Sequence, residues 1–458
     1  MALPARPSLR RPRTWLAFAL GAAIVAVTAP AAQAAHPPAG SATRYTMTAF
    51  TNSSESNLYV YDSPDAAGFT LRKGPAYTPP TGAIRDPSVF RHTDGYYYLT
   101  YTTRTWSAPS TQIGFARSTD RLNWTFLYDY TIPLSGMART WAPEWFVDSN
   151  GSVNIIVSLS FTAGGEYIFK PYKLTATNSA LTAWSSPTVL QGISPNYIDT
   201  FIVKIGSTYH AFIKNETTKY IEYATASSLT GPYTISRTGN WAGWGGGREG
   251  PALVQLDNGG WRIYYDGYGE GTYYYSDSYD TFATWSAPRA LPGLSGFVRH
   301  LTVLKEVVPG GVTLPRDVTR SLQSVNFPGR YVSVRGGLGY VDPVTSSSTT
   351  AVKQAATLTI VAGLADGNCY SFRTTTGAYL RHYGYRIRSD ASDGTATFNR
   401  DATFCARPGA TGGAVRLESY NFPGRYLRHY NYELRIDPYE TNATFQSDSS
   451  FTAVPAWS

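Results

Sequence analysis

Short apolar and aromatic runs alternate with Gly-, Pro-, Asn- and Asp-containing turns along most of the chain. Runs such as 95–101, 207–212 and 260–265 have the length of β-strands, and residues 40–307 lack the periodicity of long helices. Evenly spaced short strands with turn signals are typical of all-β folds. The pattern therefore predicts an all-β protein.

Residues 40–307 divide into units of about 50 to 60 residues, each beginning with a strand-like segment near a carboxylate. A fifth such segment begins at 297, and residues 44–72 can supply its remaining strands, which would close a ring. Four-stranded units around a channel are typical of a β-propeller. We therefore predict a five-bladed β-propeller. The first four segments begin at Asp86, Ala142, Asp199 and Glu249.

The C-terminal part repeats itself more strictly. The hexapeptide N-F-P-G-R-Y at 326–331 recurs at 421–426, with a weaker copy, G-A-Y-L-R-H, at 377–382. Three copies of a short β-rich unit that cannot bury its apolar face alone indicate a β-trefoil. We therefore predict a trefoil over 318–458, joined to the propeller by a linker at 308–317.

The first 34 residues resemble an export signal. Four arginines precede an apolar run at 15–29, which is followed by the small-x-small sequence Ala32-Gln33-Ala34. We predict that 1–34 is cleaved and that the protein is secreted. Arg10-Arg11 leaves general and twin-arginine export both open. No later run is long and apolar enough for a membrane helix.

Composition narrows the class of protein. Charged residues make up 15% and aromatic residues 14% of the 458 residues, which excludes coiled coils and disordered chains. Removing the four signal arginines lowers the net charge from +8 to +4, and no basic stripe for nucleic acid is present. With no interface pattern, we expect a monomer.

The chain has two cysteines, Cys369 and Cys405. Secretion permits a disulfide, and two thiols are too few for a metal site. We predict a Cys369–Cys405 bond, which would contribute about 3–4 kcal/mol on the chain-entropy model.

Three carboxylates, Asp86, Asp199 and Glu249, stand at the starts of different units. Because the innermost strands of blades line the axis, we expect these side chains to converge at one end of the channel. Such a group suits glycoside hydrolysis, in which one acid protonates the leaving oxygen and another carboxylate activates water or attacks the sugar. Burial and negative neighbours are expected to keep the acid protonated. The alternative is that these residues cap turns.

The segments around these carboxylates resemble the three signature segments of glycoside hydrolase family 43, a family of five-bladed, inverting arabinofuranosidases, arabinanases and xylosidases. The segments are R-D-P-S at 85–88, I-D-T-F at 198–201 and R-E-G-P at 248–251. The resemblance spans about residues 44–307.

Roles follow from this resemblance. It implies that Asp86 is the general base, that Glu249 is the general acid, and that Asp199 orients the acid and raises its pKa. Inversion implies base and acid carboxyl groups about 6.5–9.5 Å apart.

Six further propeller residues are expected to contact substrate, because aromatic faces match the apolar faces of sugars and polar groups line the pocket. The alternative for each is packing inside a blade or, for Glu144, a backbone hydrogen bond. The six are Trp106, Trp141, Glu144, Tyr197, Trp244 and Arg299.

His300 raises the question of an ion. Members of the family place a histidine of the last blade near the axis, beside a bound ion and its waters, and His300 stands where that residue is expected. We predict no required cofactor, but a calcium or other cation on the axis as a structural ion. Calcium prefers oxygen ligands, and the alternative is that His300 is an ordinary structural residue.

The C-terminal repeats resemble the arabinofuranose-binding modules of carbohydrate-binding module family 42, in which a His and an Asp of one repeat bind one arabinofuranosyl unit. Two such pairs are present here, each 19 residues apart, whereas the first repeat has Val334 and Ala355 instead. The resemblance implies two working pockets and one inactive one. The alternative is that these polar pairs only tie loops together. The pairs are His382 with Asp401 and His429 with Asp448.

Together these features predict a secreted, inverting, exo-acting α-L-arabinofuranosidase that acts on arabinan, arabinoxylan or another arabinose-bearing polysaccharide. The loops at 106–112 and 241–247 could close one end of the pocket, as exo action requires. The alternatives are a β-xylosidase or exo-β-1,3-galactanase on the same fold, or a non-catalytic polysaccharide-binding protein.

Overall fold

Six antiparallel sheets make up the described part of this computed structural model, which comprises Met1 and residues 41–163, 166–309 and 312–458. Apart from Met1, the predicted export signal lies outside the described residues. Across these ranges, no helix is long and apolar enough to cross a membrane. The three helices found in them have six residues each, so the all-β prediction is confirmed.

Five four-stranded sheets are arranged around one axis, and their innermost strands contact one another in a closed ring. The predicted five-bladed propeller is confirmed. In chain order its strands are β1 (Ser41–Thr51), β2 (Ser54–Ser63), β3 (Thr70–Tyr77), β4 (Arg85–Arg91), β5 (Tyr97–Thr102), β6 (Gln112–Ser118), β7 (Thr125–Thr131), β8 (Met137–Val147), β9 (Val153–Ala163), β10 (Glu166–Thr175), β11 (Thr188–Val189), β12 (Tyr197–Ile205), β13 (Thr208–Asn215), β14 (Ile221–Ala226), β15 (Thr234–Arg237), β16 (Glu249–Gln255), β17 (Trp261–Gly267), β18 (Thr272–Ser278), β19 (Arg289–Ala290) and β20 (Val298–Pro309).

The two ends of this region share the last blade. Its strand order from the axis outward is β20-β1-β2-β3, and the first four blades are formed by β4 to β7, β8 to β11, β12 to β15 and β16 to β19. Strand β20 pairs with β1 from Val298 to Pro309. Val308 and Pro309 therefore belong to the propeller rather than to the predicted linker, because the pairing with β1 extends to them.

Aromatic side chains fill the spaces between blades, which accounts for the aromatic composition. Phe90 and Phe115 of the first blade pack against Trp145 of the second at centroid distances of 4.4 and 5.9 Å. Burial of rings of this size is a major favourable contribution to folding.

Each innermost strand carries a β-bulge at the same position, where three residue steps oppose two on the neighbouring strand. A bulge bends the strand and redirects side chains. One residue per bulge has a left-handed backbone, and these residues are Asp86, Ala142, Asp199, Gly250 and His300.

The C-terminal region forms a twelve-stranded sheet with a threefold internal repeat of four strands and one helix. Each helix is capped by a Thr or Asn side chain that accepts a backbone N–H, and apolar residues from all three repeats share one core. The elements are β21 (Val318–Ser324), β22 (Arg330–Arg335), β23 (Leu338–Pro343), α1 (Thr350–Ala355), β24 (Leu358–Ala362), β25 (Tyr370–Thr374), β26 (Tyr379–Tyr383), β27 (Arg386–Asp390), α2 (Ala396–Asp401), β28 (Phe404–Pro408), β29 (Val415–Ser419), β30 (Arg425–Tyr430), β31 (Glu433–Pro438), α3 (Ala443–Asp448) and β32 (Ser450–Pro455).

The predicted Cys369–Cys405 disulfide is present. Both cysteines are buried, Cys369 just before β25 and Cys405 within β28. The bond therefore joins the start of the second repeat to its last strand, β28.

Buried ionic contacts join the propeller to the C-terminal region. Arg407 of β28 binds Glu418 of β29 at 2.7 Å and Asp257 of the propeller at 3.1 Å, and the Tyr426 hydroxyl donates to Asp65. All five side chains are buried. Because an unpaired buried charge is costly, these pairs favour one arrangement of the two regions.

Candidate active site

A cavity of about 290 Å³ lies at the end of the channel where the five bulges meet. All five innermost strands contribute to its wall, together with neighbouring loops and second strands. The residues that line it are Phe50, Glu55, Arg85, Asp86, Trp106, Trp141, Ile198, Asp199, Lys214, Glu216, Lys219, Glu249, Tyr268, Arg299 and His300.

The bulges correct the sequence alignment of the blades. Asp86 and Asp199 occupy the left-handed position, but in the fourth blade that position is Gly250, one residue after Glu249. Glu249 therefore corresponds to Arg85 and not to Asp86. Sequence alone could not show this offset, because a bulge leaves no motif. The residues that precede the left-handed position all line the cavity: Arg85, Trp141, Ile198, Glu249 and Arg299.

Gly250 makes room for the histidine of the last blade. Its backbone is left-handed, and a Cβ there would lie 2.8 Å from Cγ of His300. Any side chain would clash with the imidazole, so glycine is required at this bulge.

Asp86 is buried and ionised. Its Oδ2 accepts a hydrogen bond from Thr102 Oγ1 at 2.7 Å, and its Oδ1 lies 3.1 Å from His300 Nδ1. Burial alone would raise the pKa of Asp86, but Arg85, His300 and Thr102 together hold that pKa well below its usual value. The carboxylate is therefore ionised at neutral pH and is available to accept a proton, but it is a weak base.

Glu249 lies between two cations. Its Oε2 is 2.8 Å from Lys214 Nζ and its Oε1 is 3.0 Å from Arg299 Nη2. Burial raises the pKa of Glu249, but the charges of Lys214 and Arg299 outweigh burial and leave the pKa below its usual value. The expectation that burial and negative neighbours keep Glu249 protonated is therefore wrong, because the two cations lower its pKa.

Asp199 shows the opposite shift. Burial raises its pKa to about 6, and the negative charge of Glu249 adds to the rise, while His300 and Lys214 oppose it. Its Oδ2 accepts the Gly250 N–H at 3.0 Å, which connects Asp199 to the residue next to Glu249. Because Asp199 and Glu249 titrate together, a proton held here belongs to the pair.

Glu144 does not line the cavity, contrary to the prediction. It lies three residues beyond Trp141, at the level of Ser88 and Thr302, whose hydroxyl groups donate to it at 2.7 and 3.1 Å. Burial raises the pKa of Glu144 to about 7. Ala142, not Glu144, occupies the bulge position of the second blade.

The predicted aromatic residues divide into two groups. Trp106 and Trp141 line the cavity, as does the predicted Arg299. Tyr197 and Trp244 do not line it: the Tyr197 hydroxyl donates to buried Glu222 at 2.8 Å, and Trp244 packs among Trp241, Tyr265 and Trp285. Both predictions were wrong because blade packing takes up these rings.

Several residues that line the cavity, or that pair with a residue lining it, had not been singled out from the sequence. Lys214 is buried at the end of the apolar strand β13, and Asp266, which binds Arg299, ends the aromatic run of β17. A charged residue at the end of an otherwise apolar or aromatic strand was the sequence feature that could have identified Lys214 and Asp266. Glu216, Lys219 and Tyr268 lie in turns, where sequence carries no such mark.

His300 forms an ion pair with two of the cavity carboxylates. Burial lowers its pKa, but Asp86 and Asp199 outweigh burial and raise the pKa to about 9. Within the described ranges, no group of three or more His, Cys, Asp or Glu side chains is arranged to hold a metal ion. An axial cation held through water stays a prediction.

Two smaller sites in the C-terminal region contain the predicted His–Asp pairs. His382 Nε2 and Asp401 Oδ1 are 3.4 Å apart, and Asn421 bridges them with hydrogen bonds of 2.8 and 2.7 Å. The ring of Phe422 lies 5.2 Å from His382 and is 36% exposed. The N-F pair of the repeated hexapeptide thus completes the site of another repeat.

The second site repeats this arrangement. His429 and Asp448 are 3.5 Å apart and are bridged by Asn326, with Phe327 beside the imidazole. Burial lowers the pKa of both histidines, His382 and His429. In the first repeat, the equivalent residues Val334 and Ala355 line an apolar surface hollow instead.

Two family models match the chain. One, described as "Probable glycosyl hydrolase domain", covers residues 42–305, and the other, described as "Alpha-L-arabinofuranosidase B (ABFB) domain", covers residues 320–453. The first match spans more than half of the chain, so the protein belongs to this family of probable glycosyl hydrolases, which is related to glycoside hydrolase family 43.

Similar proteins match over part of their length. The chain is 36% identical over 113 residues to the probable α-L-arabinofuranosidase B of Aspergillus fumigatus, which is 24% of this chain and 22% of that protein. It is 41% identical over 96 residues to an α-L-arabinofuranosidase of Hypocrea jecorina, 20% of this chain and 19% of that protein. The chain thus spans about a fifth of the length of these curated relatives.

Among solved structures, an exo-β-1,3-galactanase from Clostridium thermocellum is similar over 92% of this chain and 96% of its own, with 12% identity and a TM-score of 0.42.

Proposed function

We propose that this protein is a secreted, inverting, exo-acting glycoside hydrolase that releases L-arabinofuranose from α-1,5-arabinan or from arabinose side chains. The observation that carries the proposal is the cavity in which Asp86, Asp199 and Glu249 come together under opposite electrostatic control. Membership of a glycosyl hydrolase family and the arabinofuranosidase-type C-terminal domain support it. The signal-like residues 1–34 support secretion.

In the proposed mechanism Asp86 is the general base. Its low pKa and its contacts with Thr102 and His300 keep the carboxylate ionised and oriented. A water activated by Asp86 attacks the anomeric carbon, while Glu249 protonates the leaving oxygen from the opposite side. Direct displacement by water inverts the configuration of the released sugar.

The proton for the leaving oxygen comes from the Asp199–Glu249 pair. The pair holds this proton up to about pH 6, and Lys214 and Arg299 favour the form in which Glu249 is ionised. When a leaving oxygen enters beside Glu249, the proton moves to Glu249 and is donated. Since the pair loses this proton as the pH rises, kcat/KM falls above about pH 6.

The C-terminal region serves as the substrate anchor in this proposal. Its threefold repeat supports a β-trefoil, and each His–Asp–Asn group presents neutral and charged acceptors beside an exposed Phe ring, which suits one arabinofuranosyl unit. Two such pockets on the same chain as the catalytic cavity raise the local concentration of branched polymer.

Product analysis on debranched linear α-1,5-arabinan tests the proposal. We expect arabinose as the sole early product by chromatography and the β-anomer as the first form seen by proton NMR. Mixed oligosaccharides would contradict exo action, and the α-anomer would contradict inversion. Activity only on xylobiose or β-1,3-galactan would replace the substrate assignment, and no activity on any of these would favour a binding protein.

A further inference from the structure

Arg139 of β8 connects the cavity wall to an exposed part of the second blade. The arginine is 9% exposed, and its Nη1 donates to the carbonyl oxygens of Trp106 at 2.8 Å and Ala108 at 3.0 Å. The loop that carries Trp106 is also fixed by Thr140 Oγ1, which donates to the Ser110 carbonyl at 3.0 Å. These bonds fix the backbone of the loop at Trp106, a residue that is 65% exposed.

The same guanidinium stacks on two aromatic rings. Its centre lies 4.3 Å from the ring of Tyr167 and 5.8 Å from the ring of Trp141, and Trp141 stacks in turn on Phe169 at 4.6 Å. Trp141 faces the cavity, whereas Tyr167 lies outside it and is 45% exposed. Arg139 therefore orders an aromatic surface that starts inside the cavity and continues beyond its mouth.

We propose that Trp106, Tyr167 and Trp141, ordered by Arg139, form a binding surface for the sugar units on the leaving-group side of the cleaved bond. The inference rests on the proposed function and deepens it. A saccharide is the expected occupant because the surface is continuous with the cavity, and because its flat rings complement the C–H faces of sugars. Arg139, which lies beneath it, is already occupied by carbonyl oxygens and rings.

Tyr167 is the best position for a test, because it lies outside the cavity and contacts none of the three carboxylates. The experiment compares kcat/KM on 4-nitrophenyl α-L-arabinofuranoside, which has no sugar on the leaving side, with that on α-1,5-arabino-oligosaccharides of two to five units. For Y167A we expect a loss of about 3- to 10-fold on the longest substrates, the factor that one aromatic contact supplies. Activity on the aryl glycoside should stay unchanged.

Two control variants make the result specific. Y167F keeps the ring and should keep wild-type activity at every length, and Y279A removes a similarly exposed ring of the fourth blade that does not line the cavity. Equal loss on the aryl glycoside and on the oligosaccharides, or no loss at any length, would overturn the binding surface while leaving the hydrolase intact. A wild-type protein that cleaves no arabinoside would overturn the proposed function itself.

Discussion

The propeller cavity and the C-terminal sites use charged groups in different ways. In the cavity, side chains from all five blades lie together, and the pKa values of two carboxyl groups shift in opposite directions. The pKa of Asp86 falls, whereas that of Asp199 rises to about 6. Each C-terminal site is a separate His–Asp–Asn cluster in which burial lowers the pKa of the histidine. Neighbouring carboxyl groups of which one is ionised and another can hold a proton are suited to proton transfer. Separate clusters with neutral imidazoles are suited to reversible binding.

The largest effect is expected from Glu249→Gln. Without the acid, kcat on arabino-oligosaccharides should fall about 10³-fold, within the usual contribution of a general acid. The loss should be much smaller on 4-nitrophenyl α-L-arabinofuranoside, because that leaving group needs little protonation. Steady-state kinetics on both substrates measure the difference.

Asp86→Asn is the matched control for the acid. Both substrates need an activated water, so its loss should be of similar size on each. If Glu249→Gln also affected both substrates equally, Glu249 would not be the acid. Binding of either variant to insoluble arabinan should match the wild type, since neither change touches the C-terminal sites.

The next effect concerns the C-terminal clusters. Asn421→Ala removes the bridge between His382 and Asp401, and Asn326→Ala removes the bridge between His429 and Asp448. Each variant should bind insoluble arabinan about 10-fold more weakly, because two linked sites bind more tightly than either alone. Pull-down assays measure this loss, and kcat/KM on the aryl glycoside should not change.

Ala355→Ser is the control in the first repeat, where Val334 and Ala355 replace the His–Asp pair. It should bind arabinan like the wild type. If the two asparagine variants also bound like the wild type, the His–Asp pairs would serve only to connect loops.

A smaller effect is expected at the cation beside the acid. Lys214 lies 2.8 Å from Glu249, so Lys214→Met removes a positive charge that lowers the pKa of Glu249. With a higher pKa the acid stays protonated to higher pH, and the alkaline limb of kcat/KM should move upward by about one pH unit. A pH profile on oligosaccharides measures the shift.

Lys219→Met provides the comparison. Lys219 also lines the cavity, but of the two nearby glutamates its ammonium pairs only with Glu216, at 2.8 Å, whereas Lys214 pairs with both Glu216 and Glu249. The alkaline limb of kcat/KM in Lys219→Met should therefore lie at the same pH as in the wild type. An unmoved limb in Lys214→Met would show that Lys214 does not control the proton of the acid.

The repeats made both folds accessible from sequence. Strand-and-turn units predicted the propeller and its closure by residues from both ends, and the exact hexapeptide repeat predicted the threefold C-terminal region. The bulges were not predictable, because each adds one residue to a strand without a local sequence motif that marks it. They displace Glu249 by one residue from the position of Asp86 and place Glu144 deeper than the cavity.

Electrostatics and packing explain the remaining differences. Lys214 lies on β13 and Glu249 on β16, so no local sequence motif predicts that they form an ion pair. Trp244 and Tyr197 are close in sequence to residues that line the cavity, but their rings fill the hydrophobic space between blades. In the C-terminal region, the Asn-Phe of one repeat completes the site of another, which can be seen only when the repeats are assembled in space.

The smallest expected effect is the pH response of polymer binding. Because burial lowers the pKa of His382 and His429 below the ordinary histidine value, both imidazoles stay neutral as the pH falls from 8 to about 6.5. Affinity for arabinan, measured with Glu249→Gln to prevent hydrolysis, should therefore be constant over this range. In the same range kcat/KM of the wild type should rise as the pH falls, because the Asp199–Glu249 pair regains its proton toward pH 6. Binding that changed in parallel with catalysis would contradict the separation of the two sites, since one titrating group would then have to govern both.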